Sequence, residues 1–134
     1  MKKLITIALL SGLLSTVTMA QKQQERISDM KHMADGMGLI MNGLLYNYLD
    51  NVDAGVKYIQ EGVNSIHKKG DLKSYLPADT AYAYKFGEKS LRRIMEYSNE
   101  LDEAMAAKDY DGALESASLL MRQCNSCHAR VRGW

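Results

Sequence analysis

Residues 114–131 read LESASLLMRQCNSCHARV. Leu114, Ala117, Met121, Cys124, His128 and Val131 recur in it at steps of three and four, the rhythm of one face of an α-helix. A helix that turns its apolar side toward a core therefore turns Cys124 and His128 inward as well. Upstream the rhythm repeats. Met30, Met33, Met37, Met41, Leu44 and Tyr48 form a stripe along an expected helix from Lys22 to Leu49, broken at Asp50-Asn51. Val52, Val56, Ile59, Val63 and Ile66 form a second stripe, from Val52 to Lys69, where basic residues and Gly70 give the usual helix close. A third runs Tyr84, Gly87, Leu91, Ile94, Ser98, Leu101 and Met105, and Lys108-Asp109 separates it from the fourth. Pro77, the single proline, falls in the expected loop Asp71–Ala78, after which Asp79 or Thr80 can cap the third helix.

Four amphipathic helices with short connections fold most simply as an all-α, antiparallel up-down-up-down bundle. Gly36, Gly38, Gly43, Gly55 and Gly62 disturb this pattern, since each glycine inside a helix costs about 1 kcal/mol relative to Ala. They mark close helix approach, room for a cofactor, or simply a less stable helix.

The first twenty residues are of another kind. Lys2 and Lys3 precede an uncharged apolar run from Leu4 to Leu14, and Thr18-Met19-Ala20 supplies small residues at a cleavage site, the pattern of a secretory signal. The run is shorter than the roughly 20 residues a membrane span needs. Residues 1–20 are thus expected to be a cleaved signal, residues 21–134 a single exported, periplasmic domain without a membrane span. Cleavage removes Lys2 and Lys3 and turns the formal charge from +1 to −1. Such a balance suggests neither nucleic acid nor an anionic membrane as partner.

Both cysteines of the chain lie in Cys124-Asn125-Ser126-Cys127-His128. Residues three apart on a helix share a face at about 5–6 Å. Two thiols so placed match the two adjacent vinyl groups of haem, across which they add as thioethers, and C-x-x-C-H is the attachment pattern of c-type haem. His128 then faces the iron as its axial ligand. A thiol redox pair would call for a βαβ context, and zinc for two more ligands at finger-like spacing. Nothing in the sequence offers a nucleophile beside a base, or a carboxylate pair at the motif, so no catalytic residue is expected.

Depth along the bundle selects the companions of the motif. His128 stands about 9 Å from the end of its helix, and Met30 about 12 Å from the start of the first. Antiparallel packing brings those two ends together, which makes Met30 the best-placed second iron ligand. Met33, His67 at the close of the second helix, or an open position are the alternatives. His32, about 200° around the helix from Met30, faces away. Arg26, one turn before Met30, suits the haem propionates. Arg26, Lys31, Lys68, Lys69, Lys73, Arg130 and Arg132 gather at this pole. Asp50, Asp53, Asp102, Glu103, Asp109, Asp111 and Glu115 gather at the other, so the domain is dipolar and its haem end would steer acidic redox partners.

In these features the chain resembles the class II c-type cytochromes, the cytochrome c′ family. The likeness lies in a signal peptide, four helices, C-x-x-C-H on the last helix, and an Arg (Arg26) four residues before the residue above the distal haem face (Met30). Where that family usually has an aromatic and a basic residue after the motif, this chain has Val131 and Arg132. The resemblance implies one covalent haem c at one end of the bundle, and often a homodimer. An apolar distal residue implies five-coordinate iron open to nitric oxide or carbon monoxide. A Met there implies low-spin iron and electron transfer with redox partner proteins, and Met30 points to this branch.

Overall fold

The structure, a computed structural model, describes the backbone of residues 2–68, 72–76 and 81–131, and their side chains from residue 24 onward except 74, 75, 81 and 131. It contains four α-helices, α1 (Lys2–Tyr46), α2 (Leu49–Lys68), α3 (Ala81–Ala107) and α4 (Tyr110–Val131), with a short 3-10 turn at Leu72–Tyr75 and no strand among the described residues. The side chains of the expected signal, residues 1–20, lie outside the described set, as do Lys69, Gly70, Pro77, the capping candidates Asp79 and Thr80, and Arg132.

Successive helices are neighbours, α1 with α2, α2 with α3 and α3 with α4, while α1 and α4 meet less than any of these. The fold is therefore the expected antiparallel bundle, built as two helical hairpins. Their turns are alike. Asn47 and Lys108 each adopt a left-handed conformation with φ 58°. The next residue then donates its N–H back to a helix carbonyl, Tyr48 to Gly43 and Asp109 to Ala104, both at 2.9 Å. This is the closure that satisfies the last carbonyls of a helix. It also explains why the first break comes at Asn47-Tyr48 rather than at Asp50-Asn51: Asn enters the left-handed region readily, and Asp50 is then free to sit in the first turn of α2, where the helix dipole favours an acid.

The second and third stripes are as expected, with Val52, Val56, Ile59, Val63, Ile66, Leu91, Ile94, Ser98 and Leu101 buried. The first and fourth are rotated. On α1 the fully buried residue is Ile40, and Tyr48 stands outside the helix, 60% exposed. On α4 the core takes Ala113, Ala117 and Leu120, leaving Leu114 and Met121 about half exposed. α4 thus turns toward α3, its close partner, and away from α1.

Glycine accounts for the tight α1–α2 hairpin. A Cβ on Gly55 would stand 2.5 Å from the carbonyl oxygen of Gly36, and one on Gly36 would stand 2.8 Å from that of Gly55. Gly43 meets Val52 and Gly62 meets Met33 in the same way. Of the three meanings open for these glycines, close approach applies to Gly36, Gly43, Gly55 and Gly62. Gly38 has nothing within 4 Å and fits the reading of a merely less stable helix.

Candidate functional site

Where α1 and α4 stay apart, the bundle encloses a cavity of about 560 Å³, inside the roughly 300–1,000 Å³ range of cofactor sites. One wall is α4, with Cys124, Cys127 and His128. The facing wall is α1, with Arg26, Ile27, Met30, Met33, Ala34 and Met37. Ile66 of α2, Leu72 and Leu76 of the connecting segment, and Gly87, Ser90, Leu91 and Ile94 of α3 complete it. Every residue singled out with the motif, Arg26, Met30, Cys124, Cys127 and His128, lines this one space.

Local packing explains their placement. The Asp29 carboxylate, 8% exposed, accepts the Ser65 hydroxyl at 2.9 Å. That bond fixes the rotation of α1 one residue before Met30. Met33 is buried over Gly62 and belongs to the central apolar cluster, whereas Met30 only leans against that cluster from its edge. The Met30 thioether is therefore the more available of the two for a bond into the cavity. Gly87 leaves room for Leu72, whose side chain would lie 3.2 Å from a Cβ at that position and caps the cavity there. On the opposite side, Gln123 donates to the Ser90 hydroxyl at 3.0 Å, a buried bond that ties α4 to α3 directly before Cys124.

His67 is exposed and does not line the cavity, so it is not a ligand candidate. His32 points away, as its helical position requires. Its ring stacks on Tyr58 with centroids 4.3 Å apart and its Nε2 lies 3.0 Å from a Glu61 carboxylate oxygen. Among the basic residues of this pole, Lys31 pairs with Asp35 at 2.6 Å, and Lys73 lies over the Tyr84 ring at 5.5 Å. Sequence reasoning does not single out Met37, Ser90, Leu72 or Leu76 for the site. Met37 falls on the α1 stripe, so its spacing carries a signal, but the depth count places it beyond the site.

No disulfide joins Cys124 and Cys127. Burial, with a smaller contribution from the neighbouring Cys127, pushes the Cys124 thiol from 9.0 up to about 11. Thiol redox chemistry needs a thiolate, favoured by a lowered value, so this environment disfavours a thiol redox role. Among the described residues no group of three or more His, Cys, Asp and Glu side chains could hold a metal ion. A haem iron draws four of its ligands from the macrocycle and asks the protein for one or two, and the donor set of a histidine facing thioether sulfurs across an apolar space fits it. No helix among the described residues is long and apolar enough to cross a membrane. No protein-family model, no curated protein and no solved structure matches the chain.

Proposed function

We propose that the chain is an exported, periplasmic electron carrier of the class II c-type cytochrome kind, with one haem c bound through Cys124 and Cys127. The observation that carries this reading is the cavity itself. Both thiols and His128 lie on one wall, and Met30, with Arg26 a turn before it, lies on the other. When bound, the haem supplies an iron centre that cycles between ferrous and ferric states. Cys124 and Cys127 would hold the haem covalently, as thioethers to its two vinyl groups. His128 would supply a nitrogen ligand and Met30 a sulfur ligand, a pair that raises reduction potential relative to ligation by two nitrogens. Arg26 balances the propionate charge, and Leu72, Leu76, Leu91 and Ile94 keep water from the centre.

The α1 wall also favours one second reading. Apart from Arg26 it is wholly apolar, so with Met30 merely packed there it would admit an uncharged diatomic gas to five-coordinate iron. An optical spectrum of the purified holoprotein decides. The weak long-wavelength band of ferric thioether ligation is expected, and replacing Met30 by Ala should convert low-spin iron to high-spin while His67→Ala changes nothing. A high-spin spectrum in the unsubstituted protein refutes the electron-carrier reading, and a purified protein without haem refutes both.

A further inference from the structure

On α3, Tyr82, Phe86, Lys89 and Arg93 follow at helical spacing along one flank. Tyr82 is 66% exposed and stacks on Phe86, with ring centroids 6.1 Å apart. The Arg130 guanidinium lies 4.8 Å from the centre of the same Phe86 ring, which places this flank beside α4. Arg130 is three residues beyond Cys127, hence on its side of the helix. Lys89, Arg93, Arg122 and Arg130 are all exposed. Two acids of this part of α3 have partners on the same helix. Glu88 accepts the Tyr84 hydroxyl at 2.6 Å and Glu96 pairs with Arg92 at 3.6 Å. Between Ser116 and Val131, α4 contains no Asp or Glu.

The result is an aromatic centre with a cationic rim of Lys89, Arg93 and Arg130, turned away from the cavity's Met30 wall and bounded further along α3 by the exposed Glu96 and Glu100. Interfaces have this anatomy, aromatic and Arg-rich at the centre with a polar rim. A cluster of like charges raises the encounter rate with surfaces of opposite sign and rejects those of the same sign.

We propose that the face formed by Tyr82, Phe86, Lys89, Arg93 and Arg130 docks an acidic redox protein and is the side through which electrons pass. The electron-transfer half rests on the haem reading above. One electron is exchanged with the partner's own redox centre, with no bond made or broken. Cys127, between the cavity and Arg130 on α4, is the covalent link nearest this face.

The test compares Lys89→Glu with Lys57→Glu on the exposed side of α2, two equal charge reversals in different places. Soluble polyglutamate, titrated at low salt into the isotope-labelled full-length chain, should shift the backbone amides of residues 82–93 and 122–130. Lys89→Glu should weaken that binding and Lys57→Glu should not. In the haem-loaded protein, Lys89→Glu, a two-unit change of charge, should slow oxidation by hexacyanoferrate(III), an anion, roughly threefold or more, its share of a steering effect of about ten- to a thousandfold. Oxidation by tris(phenanthroline)cobalt(III), a cation, should not slow. Shifts on another face, or equal effects of the two reversals, overturn the proposal. Tighter binding of an oligo-dT single strand than of polyglutamate at this face overturns the choice of an acidic protein. A chain that carries no haem defeats the electron-carrier reading, while the polyglutamate titration still decides the docking face.

Discussion

Two glycine-to-alanine substitutions in the same hairpin should move stability in opposite directions. Gly38 is exposed and helical, and no atom lies within 4 Å of the point a methyl group would occupy there. Gly38→Ala therefore gains only helix propensity, about 1 kcal/mol. At Gly55 the same methyl would lie 2.5 Å from the Gly36 carbonyl oxygen, 2.7 Å from Ile40 Cγ1 and 2.9 Å from the Ile40 backbone nitrogen. Two of those three are backbone atoms of a rigid helix and cannot rotate away. Restoring even a 3.0 Å contact separates α1 from α2 by about 0.5 Å, and gaps of 0.5–1 Å forfeit roughly a quarter to a half of the dispersion well across the interface. Overpacking costs about 1–3 kcal/mol. With the upper end expected here and about 1 kcal/mol returned by propensity, Gly55→Ala should lose about 2 kcal/mol. The two variants should then differ by about 3 kcal/mol, or roughly 10 °C in Tm for a chain of this size. Thermal and urea unfolding followed by circular dichroism measure this directly. A Gly55→Ala protein as stable as Gly38→Ala would refute the close α1–α2 contact, and with it the placement of Met30 by that contact.

Further tests follow from the turns and the thiols. Lys108 holds φ 58° without being glycine, so Lys108→Gly should stabilise the chain by about 0.5–1 kcal/mol. Asn47→Gly should gain less, because Asn tolerates that conformation; urea midpoints will show whether the order holds. In haem-free protein, the Cys124 thiol at about 11 instead of 9.0 leaves roughly a hundredfold less thiolate at pH 8 than an ordinary cysteine has. Its alkylation, followed residue by residue by mass spectrometry, should be correspondingly slow and should accelerate as pH rises toward 11. Labelling at an ordinary rate at pH 8 would contradict the buried setting of Cys124.

The helices and the inward turn of Cys124 and His128 are legible because apolar spacing is a local property, and α2 and α3 show it without error. The rotation of α1 and α4 is not. Ile40 and Met41 on α1, and Leu120 and Met121 on α4, are adjacent apolar pairs, and spacing alone cannot tell which member faces the core. That choice is made by glycine contacts across α1–α2 and by the Gln123–Ser90 bond across α3–α4, both between residues distant in sequence. Met30 comes from counting depth along a first helix expected to start at Lys22, with Arg26 one turn before it; α1 in fact starts at Lys2, yet both residues line the cavity. The same count passes over Met37, two turns further in, and cannot foresee Leu72 and Leu76, which belong to the one connection long enough to fold over the cavity.

The two hairpins, each closed by a two-residue turn, also have a consequence in time. Contacts within a hairpin join residues near in sequence, and such contacts form fastest. The cavity takes one wall from the first hairpin and another from the second, so it comes into being only when the two dock. Until then Cys124 and Cys127 stand on the α3–α4 hairpin with their far wall still absent, open to reagents too bulky for the finished cavity. Met30 and Arg26 stand opposite Cys124 and Cys127 only once α1 has docked.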